Sequence, residues 1–215
     1  MQIRPLHGGR HGLPPDVVAF NQRERLLAAL TEVVAEHGYN KATIAQITGV
    51  ASVSRRTFYE HFDGKEACFI AAYDAVDEYL GRRLAELVAE QDEWPDQVAA
   101  ALAETLRFFA SHPTLARLSL VESSTVGEGM ASRRERSVTR LVALLRPGRE
   151  WHPGERELNE GIEEALGGGI AILVARRVAA GEAEQLARFT LGLIEFTLAP
   201  YLGVEAAREV ASRHA

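Results

Sequence analysis

The stretch from Thr43 to Lys65 limits what this chain can fold into more than any other, because helix-start signals crowd into it. Thr43-Ile44-Ala45-Gln46 is a capping box. The threonine hydroxyl accepts from the backbone N–H three residues on, and the glutamine reaches back to the threonine amide. Ser54 caps a second short helix, and Val53 before it can pack on Phe58 as a hydrophobic staple. Asp63 with Glu66 reads as the cap of a third. Only Ala51-Ser52-Val53 separates the first two helices. A turn of about three or four residues between helices is helix-turn-helix geometry, in which the second helix enters the major groove of DNA.

The side chains of that second helix sort by face. At helical pitch Phe58 and Phe62 fall together and must point inward, while Arg56 and Glu60 fall opposite. Thr57 and Tyr59 lie on the flanks, and Arg55 sits nearer the core edge. The exposed surface therefore offers Arg55, Arg56, Thr57, Tyr59 and His61 just beyond the Ser54 cap. Arginine can grip guanine O6 and N7 with two hydrogen bonds. Hydroxyls donate to phosphate and fix register, and a helix N-terminus favours the same anion. Lys65, in the first turn of the following helix, is a cation where the helix dipole disfavours one, and a nearby phosphate is the expected reason.

Around this unit the chain reads as all-α. A first helix is expected over 21–37, with Asn21 as its cap, Glu24 three residues on, and Gly38 as the residue that ends it. Further helices are expected near 64–90, 95–111, 114–124, 131–146, 156–180 and 183–200, punctuated by Pro95, Pro113, Pro147, Pro153 and Pro200. There is no strand-like alternation of useful length and no internal repeat. The expected organisation is a basic, flexible Gly/Pro-rich arm over 1–20, a DNA-binding headpiece over 21–66 and a helical body over 67–215.

The segment QRERLLAALTEVVAEHGYNKATIAQITGVASVSRRTFYEHFDGKEACF resembles the DNA-binding domain of TetR-like (tetracycline-repressor-like) regulators. The matching features are Glu36-His37-Gly38-Tyr39, Thr43, the run from Val53 to Tyr59, Phe62 and Lys65-Glu66. The resemblance implies a homodimer that reads a palindromic operator, most often as a repressor released by a ligand. It also implies that Thr43, Thr57, Tyr59 and Lys65 contact phosphate, that Arg55 and Arg56 approach bases, and that His61 is a further contact. Two positions depart from the family pattern. Ser52 stands where the turn usually has glycine, so its backbone carries a left-handed cost. Gly49 lies inside the second helix, at roughly 0.5–1 kcal/mol relative to alanine.

Charge fits this division. Residues 1–66 hold eight Lys+Arg against seven Asp+Glu, and the remainder sixteen against twenty-three, within a net charge of −6. The acidic excess belongs to the body, which phosphate would repel. One cysteine, Cys68, excludes an intramolecular disulfide and a multi-cysteine metal site. No run approaches the length of a membrane span, and no signal-peptide pattern opens the chain, so a cytoplasmic protein is expected. The seven histidines do not cluster at metal-ligand spacing, and no catalytic motif occurs. Neither enzyme activity, metal nor cofactor is expected.

The body is read from its own residues. Ile162, Leu166, Ile170 and Leu173 on one helix and Phe189, Leu193 and Phe196 on the next make helices apolar on more than one side, as expected at a dimer interface. Gly167-Gly168-Gly169 lacks the context of a phosphate loop and reads as a close backbone approach or a kink. Trp94, Phe108, Phe109, Leu120, Glu122 and Trp151 are candidates to line a pocket for a small apolar ligand. Glu122, if buried, needs a partner or a cationic ligand. Repressor and activator remain open at this point, as does a helical interaction module without DNA binding.

Overall fold

The computed structural model describes residues 15–154 and 158–214. Among these it contains ten α-helices joined by turns and short 3-10 segments, with no strand. The helices are α1 (Pro15–His37), α2 (Ile44–Ala51), α3 (Arg55–His61), α4 (Lys65–Ala89), α5 (Trp94–Ser111), α6 (Pro113–Leu120), α7 (Ala131–Leu145), α8 (Ile162–Ala179), α9 (Thr190–Leu202) and α10 (Val204–Arg213). The first fourteen residues, most of the expected arm, lie outside the described residues.

α1 begins at Pro15, well before the expected start. Proline suits a first helical position, since its missing N–H would have no partner there, and Asn21 is consequently an interior residue and not a cap. Gly38 ends α1 with φ +77°, as a residue without Cβ can. The α4 cap also differs from expectation. Gly64 holds that position with no side-chain cap hydrogen bond, and Asp63 and Glu66 do not close a capping box.

Two apolar cores result. The first gathers Leu26, Leu30, Val34, Ile47, Phe58, Phe62 and Phe69 from α1 to α4, and takes in Leu118 of α6 and Met130 beside it. The expected boundary at residue 66 thus falls at the start of α4, a helix whose first turns (Cys68, Phe69, Ala72, Tyr73) belong to the headpiece core while Val76 and Leu80 pack on the second. That second core lies between α5, α8 and α9, centred on Leu102, Leu106, Ile170, Val174, Ile194 and Tyr201. α10, not expected from the sequence, folds back after Gly203 (φ +82°) and buries Ala207, Val210 and Ala211 against it.

Candidate DNA interface

α2 and α3 are held by the caps their sequences encode. The Thr43 side chain accepts from the Gln46 backbone N–H at 3.3 Å, while Gln46 Oε1 accepts from the Thr43 amide at 2.9 Å and its hydroxyl at 2.8 Å. The Thr43 hydroxyl proton is therefore directed at Gln46 and must leave it to reach a phosphate. Ser54 Oγ accepts from the Thr57 N–H at 3.0 Å and lies 2.9 Å from the Thr57 hydroxyl.

Between them Ser52 adopts the left-handed conformation, φ 52° and ψ 46°, which costs a residue with a Cβ roughly 1–2 kcal/mol. Part of the compensation comes from α1. The Arg25 guanidinium donates to the Ser52 carbonyl at 3.1 Å and also to the Ala51 carbonyl. Reading the sequence did not single out Arg25, because nothing local links it to a turn twenty-six residues away.

α3 presents the faces its sequence predicts. Phe58 is fully buried and Phe62 nearly so, their rings 5.8 Å apart, anchoring the helix on α1 and α4. Each such ring contributes about 1.5–3 kcal/mol on burial. Arg55 is exposed, further from the core than its predicted edge position. The Arg56 side chain is 89% exposed and pairs with Glu60 at 3.1 Å. An ion pair so open to water is worth about 1 kcal/mol at most, so exchanging Glu60 for a base edge costs little. Tyr59 is exposed, and Thr57 and His61 are half-buried at the flanks. The structure thus brings Ser54, Arg55, Arg56, Thr57, Tyr59 and His61 onto one short helix, with Thr43 at the start of its partner.

Lys65 is different. Its ammonium donates to the carbonyls of Tyr39 at 2.6 Å and Ala42 at 2.9 Å, and sits 4.2 Å from the Tyr39 ring centroid. These internal partners explain a cation in the first turn of α4, where a phosphate had been expected. Burial holds its pKa below the usual lysine value.

The pocket candidates do not gather in one place. Trp94 is buried, donates from Nε1 to the Leu144 carbonyl at 2.8 Å and packs edge-on against Tyr201. Trp151 is 40% exposed beside it, and Phe109 lies in the second core, with Leu120 packed against that core. Glu122 is buried, but its partners are protein groups, Arg117 and the Tyr39 N–H, both at 2.9 Å. Phe108 alone of the six lines an open cleft of about 290 Å³ with Ala75, Val76, Tyr79, His112 and Leu115. His112 stacks on Phe108 at 4.7 Å. The cleft was missed because Tyr79, in the middle of α4, and His112, at the end of α5, are far apart in sequence. Cys68 is fully buried, and burial raises its thiol pKa to about 12.

On α8 and α9 the expected interface residues divide. Leu166, Ile170 and Leu193 are buried in the chain's own core, so they stand behind the surface and cannot form its outer layer. Ile162 and Phe189 are half-buried on the same core. Leu173 and Phe196 are exposed, together with Ile172 and Leu191, which the sequence reading passed over. Of the three glycines, Gly167 is a close approach, since a Cβ there would lie 3.2 Å from Val142 on α7, whereas Gly168 and Gly169 face open space.

A capped two-helix unit that holds arginines outward at the front of a short helix defines a helix-turn-helix protein. Residues 26–72 match the family described as bacterial regulatory proteins, tetR family. The resemblance to TetR-like regulators is thereby shown over the headpiece, and the all-α body shares that fold. The HTH-type transcriptional repressor NemR of Escherichia coli (strain K12) is 27% identical over 139 residues, covering 60% of this chain and 70% of NemR. The fatty acid degradation regulator FadR from Bacillus halodurans superposes with a TM-score of 0.73 at 19% identity, over 82% of this chain and 94% of that one. FadR from Bacillus subtilis, in complex with stearoyl-CoA, superposes with a TM-score of 0.69 at 18% identity, over 84% and 98%. NemR is thus a transcriptional repressor, and the FadR of Bacillus subtilis a transcriptional regulator. Among the described residues no helix is long and apolar enough to cross a membrane.

Proposed function

We propose that this chain is a cytoplasmic, sequence-specific transcriptional repressor that binds a palindromic operator as a homodimer and is released by a small, largely apolar ligand. The observation that carries the reading is α3, on which two phenyl rings lock the helix from behind while Arg55, Arg56 and Tyr59 are exposed in front. In this reading Arg55 and Arg56 contact base edges. Ser54, Thr57, Tyr59 and His61 contact backbone, with Thr43 joining them from the start of α2. Lys65 acts from behind, by tying the loop before α2 to α4.

The ligand reading is supported by the cleft lined by Val76, Tyr79, Phe108, His112 and Leu115, whose walls are apolar and aromatic with few polar groups. The dimer reading is supported by the exposed apolar side chains Ile172 and Leu173 on α8 and Leu191 and Phe196 on α9, which a lone protein would leave in water.

The test is fluorescence anisotropy with DNA from upstream of the protein's own gene. Binding should be saturable, should weaken steeply with salt as phosphate contacts require, and should exceed binding to unrelated DNA. Arg56→Ala should lose about 1–3 kcal/mol of sequence discrimination while keeping helical content. Equal affinity for unrelated DNA at every salt concentration would overturn the reading.

A further inference from the structure

Glu122 is a carboxylate with 5% exposure, on the 3-10 turn (Glu122–Ser124) that follows α6. A charge so placed requires partners, and its two are drawn from different parts of the molecule. Oε1 pairs with Arg117 Nη2 at 2.9 Å, one turn back in the body. Oε2 accepts from the backbone N–H of Tyr39 at 2.9 Å, eighty-three residues away in the headpiece. Tyr39 is fixed on its other sides too. Its carbonyl accepts from Lys65 at 2.6 Å, and its ring lies 4.2 Å from the Lys65 ammonium and 5.1 Å from the Phe69 ring. Lys65 also holds the Ala42 carbonyl, immediately before the Thr43 cap of α2. A continuous polar path therefore runs from Arg117 through Glu122, Tyr39 and Lys65 to the first residue of the helix-turn-helix.

We propose that Glu122, oriented by Arg117, is a positioning residue for DNA recognition: it fixes the loop before α2, and with it the angle at which α3 is presented from the body. The proposal rests on the reading of α3 as the recognition helix. Apolar contact through Leu118 and Met130 already joins body to headpiece, but such contact permits small slides. A backbone N–H held by a buried carboxylate is directional and does not.

The experiment compares wild type with Glu122→Ala and Glu122→Gln. Amide hydrogen exchange is followed at Tyr39, Ile47 and Phe58, and operator affinity is measured alongside. In Glu122→Ala the Tyr39 amide should exchange at least about tenfold faster, while Ile47 and Phe58, bonded within α2 and α3, keep their protection. Operator affinity should fall by about 5- to 150-fold, the usual range of coupling between sites. Glu122→Gln retains an acceptor oxygen and should restore part of both. If the alanine variant does not fold, the glutamine variant supports the same comparison. Unchanged Tyr39 exchange would overturn the proposal, as would equal acceleration at all three amides. Failure of the wild type to bind operator would sink the DNA-binding reading instead, and the exchange data would still decide whether Glu122 holds the loop.

Discussion

At Gly148 a single hydrogen atom is all the space there is. A Cβ built there would run into the Trp94 indole and lie 2.7 Å from Tyr201 Cδ1, and both rings are buried and packed against each other. Gly148→Ala should therefore destabilise the fold by about 1–3 kcal/mol, the cost of overpacking, as read from the urea midpoint. An unchanged midpoint would show that the rings can move aside. Such a contact was not legible in the sequence, because Trp94, Gly148 and Tyr201 meet only through the tertiary fold. The residues of α3 were legible, because their facing follows from helical pitch alone once Phe58 and Phe62 are placed inside. Glu122 falls between these cases. Its need for a partner could be stated from its chemistry, but the identity of that partner, a backbone amide in the headpiece, could not.

Of the four caps expected from local chemistry, those of α2 and α3 hold, whereas Asn21 and Asp63 do not cap α1 and α4. α2 and α3 begin after Thr43 and Ser54, and α4 ends within a residue of its expected limit. Elements whose boundaries depend on packing were missed or misplaced. α1 starts earlier because Pro15 opens it, and α10 was overlooked because Pro200 read as the stop of the last helix. In fact Pro200 is carried inside the last turn of α9. The start of α8 is secured by an ion pair between a buried glutamate and an exposed arginine, which local sequence does not reveal. Arg149 donates to both Glu163 oxygens, at 2.7 and 2.8 Å, and Glu163 is 3% exposed. The hydrogen bonds from Arg149 hold the Glu163 carboxyl below the usual carboxylate range, against the opposing effect of burial. A depressed folded-state pKa stabilises the protein above the unfolded value, about 4.3, and that stability is lost as pH falls through the folded value. Glu163→Gln should thus be less stable than wild type at pH 7. In urea denaturation the gap should narrow as pH drops below about 4.3. A gap independent of pH would contradict the pairing.

Over the whole molecule, charge divides between headpiece and body. Residues 1–66 carry a slight basic excess and the remainder an acidic one, a division that would favour approach of phosphate to the headpiece. α8 exposes Ile172 and Leu173, and α9 exposes Leu191 and Phe196. If a second copy covers them, wild type sediments as a dimer, and Phe196→Glu gives a monomer with unchanged circular dichroism. A monomeric wild type at working concentration would refute the dimer. Two headpieces joined this way must meet half-sites about 34–36 Å apart, one turn of the duplex. Methylation interference at guanine N7, run with wild type, Arg55→Ala and Arg56→Ala, tests the DNA-reading role of α3 most directly. The account predicts that methylation of guanines in two symmetric half-sites blocks wild-type binding, and that at least one guanine per half-site ceases to matter in an arginine variant. Wild-type binding indifferent to N7 methylation, or the same interference pattern in all three proteins, would contradict it.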